Sequence, residues 1–207
     1  MVMGTHIPRR GLLQMGGVAI ASALVAPRAA AAAVQGPPAQ WVPLVERAMG
    51  AFERHSERIT QRDRFAVVDF SLPSSTPRML LIDRTRGLHQ LMRVAHGRGS
   101  DPAHSGWLKA FSNAPGSYAS SRGVYVTGPT YVGKHGHSRR LIGLDDSNNN
   151  AEARAIVIHG AWYCNDDILR SNGKLGRSEG CFAVSEGEIE PLLDWLGPDR
   201  LLYADKL

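Results

Sequence analysis

Cysteine is scarce in this sequence: only two of its 207 residues are cysteines, Cys164 and Cys181. The sequence also lacks any Cys-x-x-Cys or His-x-x-x-His pair, which argues against a structural zinc site. One hypothesis for these residues is nevertheless a zinc site with His159, Cys164 and Cys181 as ligands. The two cysteines are the only possible intrachain disulfide pair, and such a bond would block both thiols. We expect no metal and no other cofactor, and a reversible disulfide stays open.

Long apolar runs are absent as well. The longest run follows Arg9 and Arg10, extends to Ala26 and is shorter than the roughly 20 residues that span a bilayer. Residues 29–33 offer small-residue cleavage sites, and residues 1–33 together resemble a twin-arginine export signal. We therefore expect a periplasmic or otherwise extracytoplasmic protein with no membrane span after processing. An uncleaved anchor is the alternative.

Positive charge is sparse outside this N-terminal segment. The formal net charge of +5 falls to +2 without residues 1–33, because they contain three arginines and no acidic residue. Nucleic-acid binding needs a concentrated basic stripe with interleaved aromatic residues, which this chain does not have, so we predict no nucleic-acid partner. The remaining chain fits one domain. We place a short linker at residues 34–40 and the domain at residues 41–207.

Within the domain, many short strands are predicted between two helices. Apolar residues recur at three- and four-residue intervals from Trp41 to Phe52, which predicts an amphipathic helix from 41 to about 58. Ser185 and Glu188 form a capping box before a second helix, which Gly197 ends. Short β-type runs separated by turn formers lie at 65–70, 79–82, 88–94, 124–127, 141–144, 155–159 and 201–203. This pattern predicts a mostly β fold, barrel- or sandwich-like, with an N-terminal and a C-terminal helix packed on it.

Two short motifs carry the chemistry. His159 ends an apolar run and is followed by Gly160, and Cys181 follows 22 residues later in a Ser-x-Gly-Cys turn. A thiol becomes a strong nucleophile when a neighbouring base takes its proton, so Cys181 is the candidate nucleophile and His159 the candidate base. The Gly160 carbonyl can bind the other ring nitrogen. Gly180 allows a sharp turn in which the N–H groups of Gly180 and Cys181 face a developing oxyanion.

Taken singly, each of these residues has an ordinary structural interpretation. A buried cysteine is most often a small hydrophobic residue, and a histidine at the end of a strand is most often only hydrogen-bonded. A glycine beside each of the two, together with their spacing, favours a cysteine acyl-transfer enzyme. The dipeptide His96-Gly97 repeats the His-Gly pair but has no Ser-x-Gly-Cys at a suitable distance, and we interpret it as structural.

These motifs resemble the L,D-transpeptidases of bacterial cell walls, specifically the murein L,D-transpeptidase catalytic domain family of the YkuD-like superfamily. The general pattern of the superfamily is His, roughly 15 to 20 residues, then Ser/Thr-His-Gly-Cys. The resemblance spans roughly residues 64–196, and residues 123–128 and 131–136 are also similar to this family. It implies a β-rich catalytic domain with Cys181 as nucleophile and His159 as base. Glu179 stands where most of the superfamily has His.

The resemblance implies an exported peptidoglycan L,D-transpeptidase. Cys181 would form a thioester with a diaminopimelate-containing donor stem peptide and pass the acyl group to an amine acceptor. The catalytic residues do not identify the acceptor: the amine of diaminopimelate, the amine of L-Ala and water all stay open. Water would make the protein an L,D-carboxypeptidase. A wall-binding module without turnover is the alternative from another class. The resemblance also implies that carbapenems inhibit the site.

Six residues are candidates for substrate binding. Tyr131, Lys134 and His135 lie on a Gly-rich segment that approaches the substrate cleft in the family, although alone they would be a surface hairpin. Arg177 is a candidate for a stem-peptide carboxylate, since guanidinium matches carboxylate geometry. Ser178 either orients the nucleophile turn or touches substrate. Glu179 either faces the imidazolium of the base, or faces an acceptor amine, or is a solvent-facing turn residue.

Overall fold

The computed structural model describes residues 36–207, and their framework is one eight-stranded mixed β-sheet. The strands are β1 Arg64–Asp69, β2 Met79–Asp83, β3 Leu88–Met92, β4 Gly123–Gly133, β5 Gly136–Gly143, β6 Val157–Gly160, β7 Phe182–Val184 and β8 Leu201–Asp205. Their order in the sheet is β3-β2-β1-β8-β4-β5-β6-β7. Strand β1 pairs in parallel with β8, and β6 with β7, while the other neighbours are antiparallel.

Three α-helices accompany the sheet: α1 Val42–Arg54, α2 Asp166–Asn172 and α3 Ile189–Leu196. The prediction of a mostly β fold with a helix near each end is confirmed. Within residues 36–207, no helix combines the length and apolar character that crossing a membrane requires. The predicted export signal at residues 1–33 lies outside the described residues.

The predicted helix boundaries were wrong by a few residues. Helix α1 ends at Arg54 rather than near residue 58, because the chain turns at His55 and carries Ile59 into the apolar cluster that contains α1. Helix α3 begins at Ile189, later than the capping box implied. The Ser185 hydroxyl hydrogen-bonds the Glu188 carboxylate at 2.6 Å, and no side chain caps the helix.

Helices α1 and α3 cover opposite faces of the sheet, as strand β1 shows. Phe65 and Val67 belong to the apolar cluster that contains α1, whereas Ala66 and Val68 belong to the cluster that contains α3. Successive side chains of a strand point to opposite faces. Both faces of β1 are therefore buried, which explains its continuous apolar sequence.

Strands β4 and β5 form a hairpin that is longer than predicted. The pairing shifts register after Thr127 and then continues to the last pair, Gly133 with Gly136. Lys134 and His135 form the exposed tip between these two glycines. The Gly-rich segment seen in the sequence is thus the end of a regular hairpin.

The parallel pairing of β6 with β7 brings the two motifs together. Ile158 lies opposite Phe182, and His159 lies opposite Ala183. Ile158 and Phe182 are both part of the apolar core. Because alternate side chains of a strand point to opposite faces, His159 lies on the other face of the sheet, and so does Cys181, the residue before Phe182. Strand β7 was not predicted from the sequence.

A buried polar cluster lies beneath the segment that carries Cys181. The fully buried Arg78 donates hydrogen bonds to the carbonyls of Leu72 and Val94, both at 2.9 Å, and to His96 Nδ1 at 2.8 Å. A guanidinium only donates, so His96 Nδ1 must accept and the ring carries its proton on Nε2. That nitrogen lies 3.4 Å from Asp101 Oδ2. Burial, together with the charge of Arg78, lowers the pKa of His96 to about 4, and the ring is neutral.

The backbone around His96 holds the nucleophile segment in place. The N–H of Ser178 donates to the carbonyl of His96 at 2.9 Å, and the N–H of Arg98 donates to the carbonyl of Ser178 at 2.8 Å. The Arg177 guanidinium donates to the carbonyl of Asp101. The second His-Gly dipeptide therefore has a structural role: its buried side chain fixes a loop on which residues 177–181 rest.

We predict that the protein loses stability as the pH falls from about 6.5 to about 4. His96 and His159 each have a pKa of about 4 in the folded chain, against about 6.5 in an unfolded chain. Between these values the unfolded chain binds protons that the folded chain does not, so the free energy of unfolding falls by at most about 3 kcal/mol per histidine. Denaturant unfolding of the 207-residue chain at several pH values across this window measures the loss.

The carboxylate of Asp101 does not contribute to the loss of stability between pH 6.5 and pH 4. Burial raises its pKa, but hydrogen bonds from Ser105 and Gly106 outweigh burial and hold the pKa at about 2. Its contribution to stability is therefore lost only at lower pH, as the pH falls from about 3.8, the usual region for an aspartate, through about 2. A free energy of unfolding that stays constant between pH 6.5 and pH 4 would contradict the burial of two neutral imidazoles.

Candidate active site

A cleft of about 380 Å³ contains both motifs. Cys181 and His159 line it, and so do all six candidate substrate residues, Tyr131, Lys134, His135, Arg177, Ser178 and Glu179. A larger and more open depression of about 530 Å³ lies around Arg122, Asp145 and Asp205 and contains none of the predicted residues. We take the smaller cleft as the candidate active site because the chemically reactive side chains lie there.

His159 is placed as a neutral proton acceptor. It is buried, with 1% of its surface exposed, and its Nδ1 lies 2.8 Å from the carbonyl oxygen of Gly160. A carbonyl only accepts, so Nδ1 carries the proton and Nε2 is available to accept another. Burial is the main cause that lowers the pKa of His159 to about 4; the Gly160 hydrogen bond raises it, and the charges of His135 and Lys134 act with burial to lower it. The ring is neutral near pH 7.

Cys181 is a half-buried thiol on the turn before β7. Its Sγ donates a weak hydrogen bond to the carbonyl of Ala155, with the two atoms 3.6 Å apart. Burial raises the pKa of Cys181, while a hydrogen bond from the Val157 N–H and the charges of Lys134 and Arg154 lower it. The net shift is upward. Cys181 and His159 are therefore both neutral in the resting site.

The Ser178 side chain holds the turn before Cys181. Its hydroxyl accepts from the Gly180 N–H at 3.1 Å and donates to the Cys181 carbonyl at 2.7 Å. Gly180 has φ +115°, and a Cβ there would lie 2.7 Å from the carbonyl oxygen of Ala119, so the turn requires glycine. Of the two alternatives for Ser178, this geometry supports the orientation of the turn.

The oxyanion donors stay a prediction. The Gly180 N–H is bound to the Ser178 hydroxyl in this structure. Among residues 36–207, the Cys181 N–H makes no backbone hydrogen bond outside the strand ladders. Cys181 therefore offers the free donor, and Gly180 contributes only if the Ser178 hydroxyl yields its place to the oxyanion.

Two charged candidates for substrate binding already have protein partners. Arg177 donates to the carbonyls of Asp101 and Pro102, the second at 3.1 Å. Glu179 pairs with Arg98 at 3.0 Å, and about half of each side chain is exposed. Glu179 therefore faces both the cleft and solvent, and its charge raises the pKa of Cys181 and of His135.

The hairpin candidates border the cleft from the other side. The ring of Tyr131 lies under the guanidinium of Arg140, 4.5 Å from ring centroid to Cζ. Lys134 is exposed, and its charge lowers the pKa of His135, His159 and Cys181. The ring of His135 stacks on the ring of His159, with centroids 4.2 Å apart and planes at 22°. The hairpin tip thus contacts the candidate base directly.

Three residues that line the cleft had no role in the site predicted from the sequence, Arg154, Ala155 and Val157. Ala155 has φ +54°, a left-handed conformation that is uncommon without glycine, and its carbonyl faces the Cys181 thiol. The predicted strand at 155–159 therefore begins only at Val157. Arg154 donates to the carbonyl of Ser112 at 2.9 Å and is partly buried. Nothing in the local sequence marks either residue, since both roles depend on distant partners.

The second cysteine lies outside the cleft. Cys164 is buried, and its thiol donates to the carbonyl of Ala183 at 3.4 Å. Burial raises the pKa of Cys164 to about 12, which makes this thiol unreactive near neutral pH. Cys164 and Cys181 are both free thiols in this structure. Among residues 36–207, no group of three or more His, Cys, Asp or Glu side chains is placed to hold a metal ion.

Comparison with solved structures finds only distant similarity. An L,D-transpeptidase from Mycobacterium tuberculosis is 12% identical, with a TM-score of 0.45 and coverage of 70% of this chain and 58% of that one. L,D-transpeptidase 3 from the same organism is also 12% identical, with a TM-score of 0.45 and coverage of 70% and 61%. The helical cell shape determining protein Pgp2 from Campylobacter jejuni is 11% identical, with a TM-score of 0.44 and coverage of 82% and 57%. The alignments thus span about three fifths of these relatives' own lengths.

Comparison with protein families gives a clear assignment. No curated protein matches the sequence. The family model of the L,D-transpeptidase catalytic domain, in contrast, matches residues 41–204. The match covers nearly the whole predicted domain, including both motifs of the cleft. The chain therefore belongs to the L,D-transpeptidase catalytic domain family.

Proposed function

We propose that this protein is an exported peptidoglycan L,D-transpeptidase that acts through a thioester on Cys181. The observation that carries the proposal is the presence of Cys181 and His159 in one cleft, with His159 Nδ1 bound to the Gly160 carbonyl and Nε2 left to accept a proton. Family membership supports peptidoglycan stem peptides as the substrate class.

In the first half-reaction, Cys181 Sγ attacks the carbonyl carbon that follows the L-centre of diaminopimelate in a donor stem. The S–H proton passes to His159 Nε2, and the Cys181 N–H donates to the oxyanion. Collapse of the tetrahedral intermediate breaks the C–N bond, and His159 returns the proton to the amine of the departing D-residue. A thioester on Cys181 remains.

In the second half-reaction, an amine of an acceptor stem attacks the thioester carbonyl. His159 takes a proton from the attacking amine, the C–S bond breaks, and the sulfur leaves and regains that proton. A new peptide bond joins the two stems, and the free thiol is restored.

The neutral resting state determines how the thiol is activated. A raised thiol pKa beside an imidazole with a pKa of about 4 disfavours a preformed thiolate–imidazolium pair. Proton transfer must therefore accompany the attack of sulfur on the carbonyl. The charges of Lys134 and Arg154, which lower the pKa of Cys181, stabilise negative charge on the sulfur as the bond forms.

Charged groups around the thiol suit a substrate that carries carboxylates and an amine. Lys134, Arg154 and Arg177 line the cleft and match the carboxylates of a donor stem. Glu179 lines the same cleft, is partly exposed and suits an acceptor amine. Two other functions use the same site. Transfer of the acyl group to water would make the protein an L,D-carboxypeptidase. If Cys181 did not turn over substrate at all, the protein would be a wall-binding module.

We predict that Cys181→Ala abolishes formation of the acyl-enzyme, whereas Cys164→Ala leaves it nearly unchanged. The first substitution removes the only thiol in the cleft, and the second changes a buried thiol that donates to a backbone carbonyl. Intact-mass spectrometry after mixing with a diaminopimelate-containing tetrapeptide stem measures the adduct. If Cys164→Ala were inactive and Cys181→Ala were active, the assignment of Cys181 as the nucleophile would be wrong.

His159→Ala is expected to slow acylation by a factor of order 10² to 10⁴, the usual contribution of a positioned proton carrier. Raising the pH restores part of the rate, because it supplies thiolate without the imidazole. Rates of acyl-enzyme formation measured from about pH 6 to about pH 10 test both statements. Rates equal to those of the wild type at neutral pH would rule out His159 as the base.

A carbapenem is expected to acylate Cys181 once and only once, because a thiol in this family's cleft opens the strained β-lactam ring. The mass of the chain should increase by one inhibitor, and Cys181→Ala should show no increase. The Cys164→Ala variant is the matched control and should still form the adduct. An adduct on Cys164 would contradict the assignment of the reactive thiol.

Glu179→Gln is expected to leave acylation intact and to slow transfer to an amine. The carboxylate is partly exposed in the cleft and raises the thiol pKa, so its loss does not weaken the nucleophile. Single-turnover acylation and product formation are measured separately, with Glu152→Gln as an exposed control outside the cleft. Slowed acylation would instead assign Glu179 to the imidazolium, and no change in either step would make it a surface residue.

A further inference from the structure

We propose that His135, at the tip of the β4–β5 hairpin, is a positioning residue for the base His159. Its ring covers the imidazole of His159 and fixes the plane from which Nε2 accepts the proton of Cys181. The inference rests on the proposed function in one respect, that His159 is the base. It replaces the expectation that His135 binds substrate directly.

The stacking geometry is the first observation. The two rings lie nearly parallel at 22°, with their centroids 4.2 Å apart, which is face-to-face contact. His159 has one ring hydrogen bond, from Nδ1 to the Gly160 carbonyl. A single hydrogen bond near one edge of the ring leaves the ring free to tilt, and a second ring packed on its face removes that freedom.

Burial is the second observation. His159 is 1% exposed although it borders an open cleft, whereas His135 itself is exposed. The His135 ring therefore contributes to the exclusion of water from His159. The dominant cause of the lowered His159 pKa is burial, and His135 adds to it. Removal of the His135 ring should hydrate His159 and raise its pKa.

The position of His135 in the chain is the third observation. The tip lies between Gly133 and Gly136, beyond the last pair of the hairpin. The side chain of neighbouring Val132 is 81% exposed, so this end of the hairpin contributes little to the core. Substitutions at His135 therefore change the contact with His159 without unfolding the domain, which makes the inference testable.

Other charged and titratable groups line the same cleft as His159 and must be kept constant. The hairpin contributes Tyr131 and Lys134, the nucleophile segment contributes Arg177, Glu179 and Cys181, and the walls contribute Arg154 and Tyr163. Within the described residues 36–207, only the His135 ring is stacked on His159. Variants at position 135 therefore alter one contact while these charges remain in place.

The test compares His135→Phe, which keeps a flat ring, with His135→Ala, which removes it, in the 207-residue chain. Val132→Ala on the same hairpin is the control. The first measurement is the titration of His159 by NMR, with the resonance assigned through its loss in His159→Ala. We expect the His159 pKa to rise toward about 6.5 in His135→Ala and to stay within about one unit of wild type in His135→Phe.

The second measurement is the pH profile of Cys181 alkylation by iodoacetamide, which needs no cell-wall substrate. The acid limb of this profile should move to higher pH in His135→Ala, together with the His159 pKa. It should not move in His135→Phe or Val132→Ala. The third measurement is single-turnover acylation by a stem peptide. For His135→Ala we expect the maximal acylation rate to fall about tenfold, with little change in the peptide concentration that gives half of that rate.

Each outcome separates the possibilities. Unchanged titration and alkylation in His135→Ala would overturn the inference. Loss of acylation in His135→Phe equal to that in His135→Ala, without any shift in the His159 pKa, would also overturn it and return His135 to substrate contact. A shifted His159 pKa in a chain that no stem peptide acylates would support the positioning role and reject the proposed function, so the two fail separately.

Discussion

The parallel pairing of two short strands is the constraint on which the active site depends. His159 lies in β6, one residue before its end, and β7 begins immediately after Cys181, so the register of Ile158 with Phe182 decides where both side chains lie. The apolar core holds Ile158 and Phe182 on one face, which forces His159 and Cys181 to the other. A shift of one residue in that register would move the thiol to the wrong face. The catalytic geometry is therefore a consequence of core packing.

Buried polar contacts around this pair of residues fix the turn before Cys181, which the pairing of the strands alone does not fix. The Ser178 hydroxyl holds both ends of the nucleophile turn, and the loop at His96 supports the turn from below. The buried Arg78 cation hydrogen-bonds the neutral His96 ring and so fixes its orientation. The same burial keeps His159 and Cys181 neutral at rest. In the proposed reaction, the thiol would therefore be activated only as it attacks the substrate.

Local sequence patterns predicted most of the fold. The seven apolar runs all correspond to strands, because each has enough alternating or continuous apolar residues to be distinguished from its flanking turns. Strand β7 has only three residues and exists through its pairing with β6, so no local pattern marks it. The positive φ of Ala155 and the stacking of His135 on His159 depend on chain segments far apart in the sequence. The motifs indicated the chemistry. The register of β6 with β7, the turn at Ala155 and the contact of the hairpin with His159 became visible only in the structure.

We propose that Cys181 transfers an acyl group between peptidoglycan stems. The most direct measurement is incubation of the 207-residue chain with diaminopimelate-containing muropeptides, followed by mass analysis of the products. We expect a cross-linked dimer whose mass equals the sum of the two stems less the mass of one released D-amino acid, and no dimer with Cys181→Ala. Unchanged muropeptides would contradict the claim, and a trimmed monomer without any dimer would replace transpeptidation with hydrolysis.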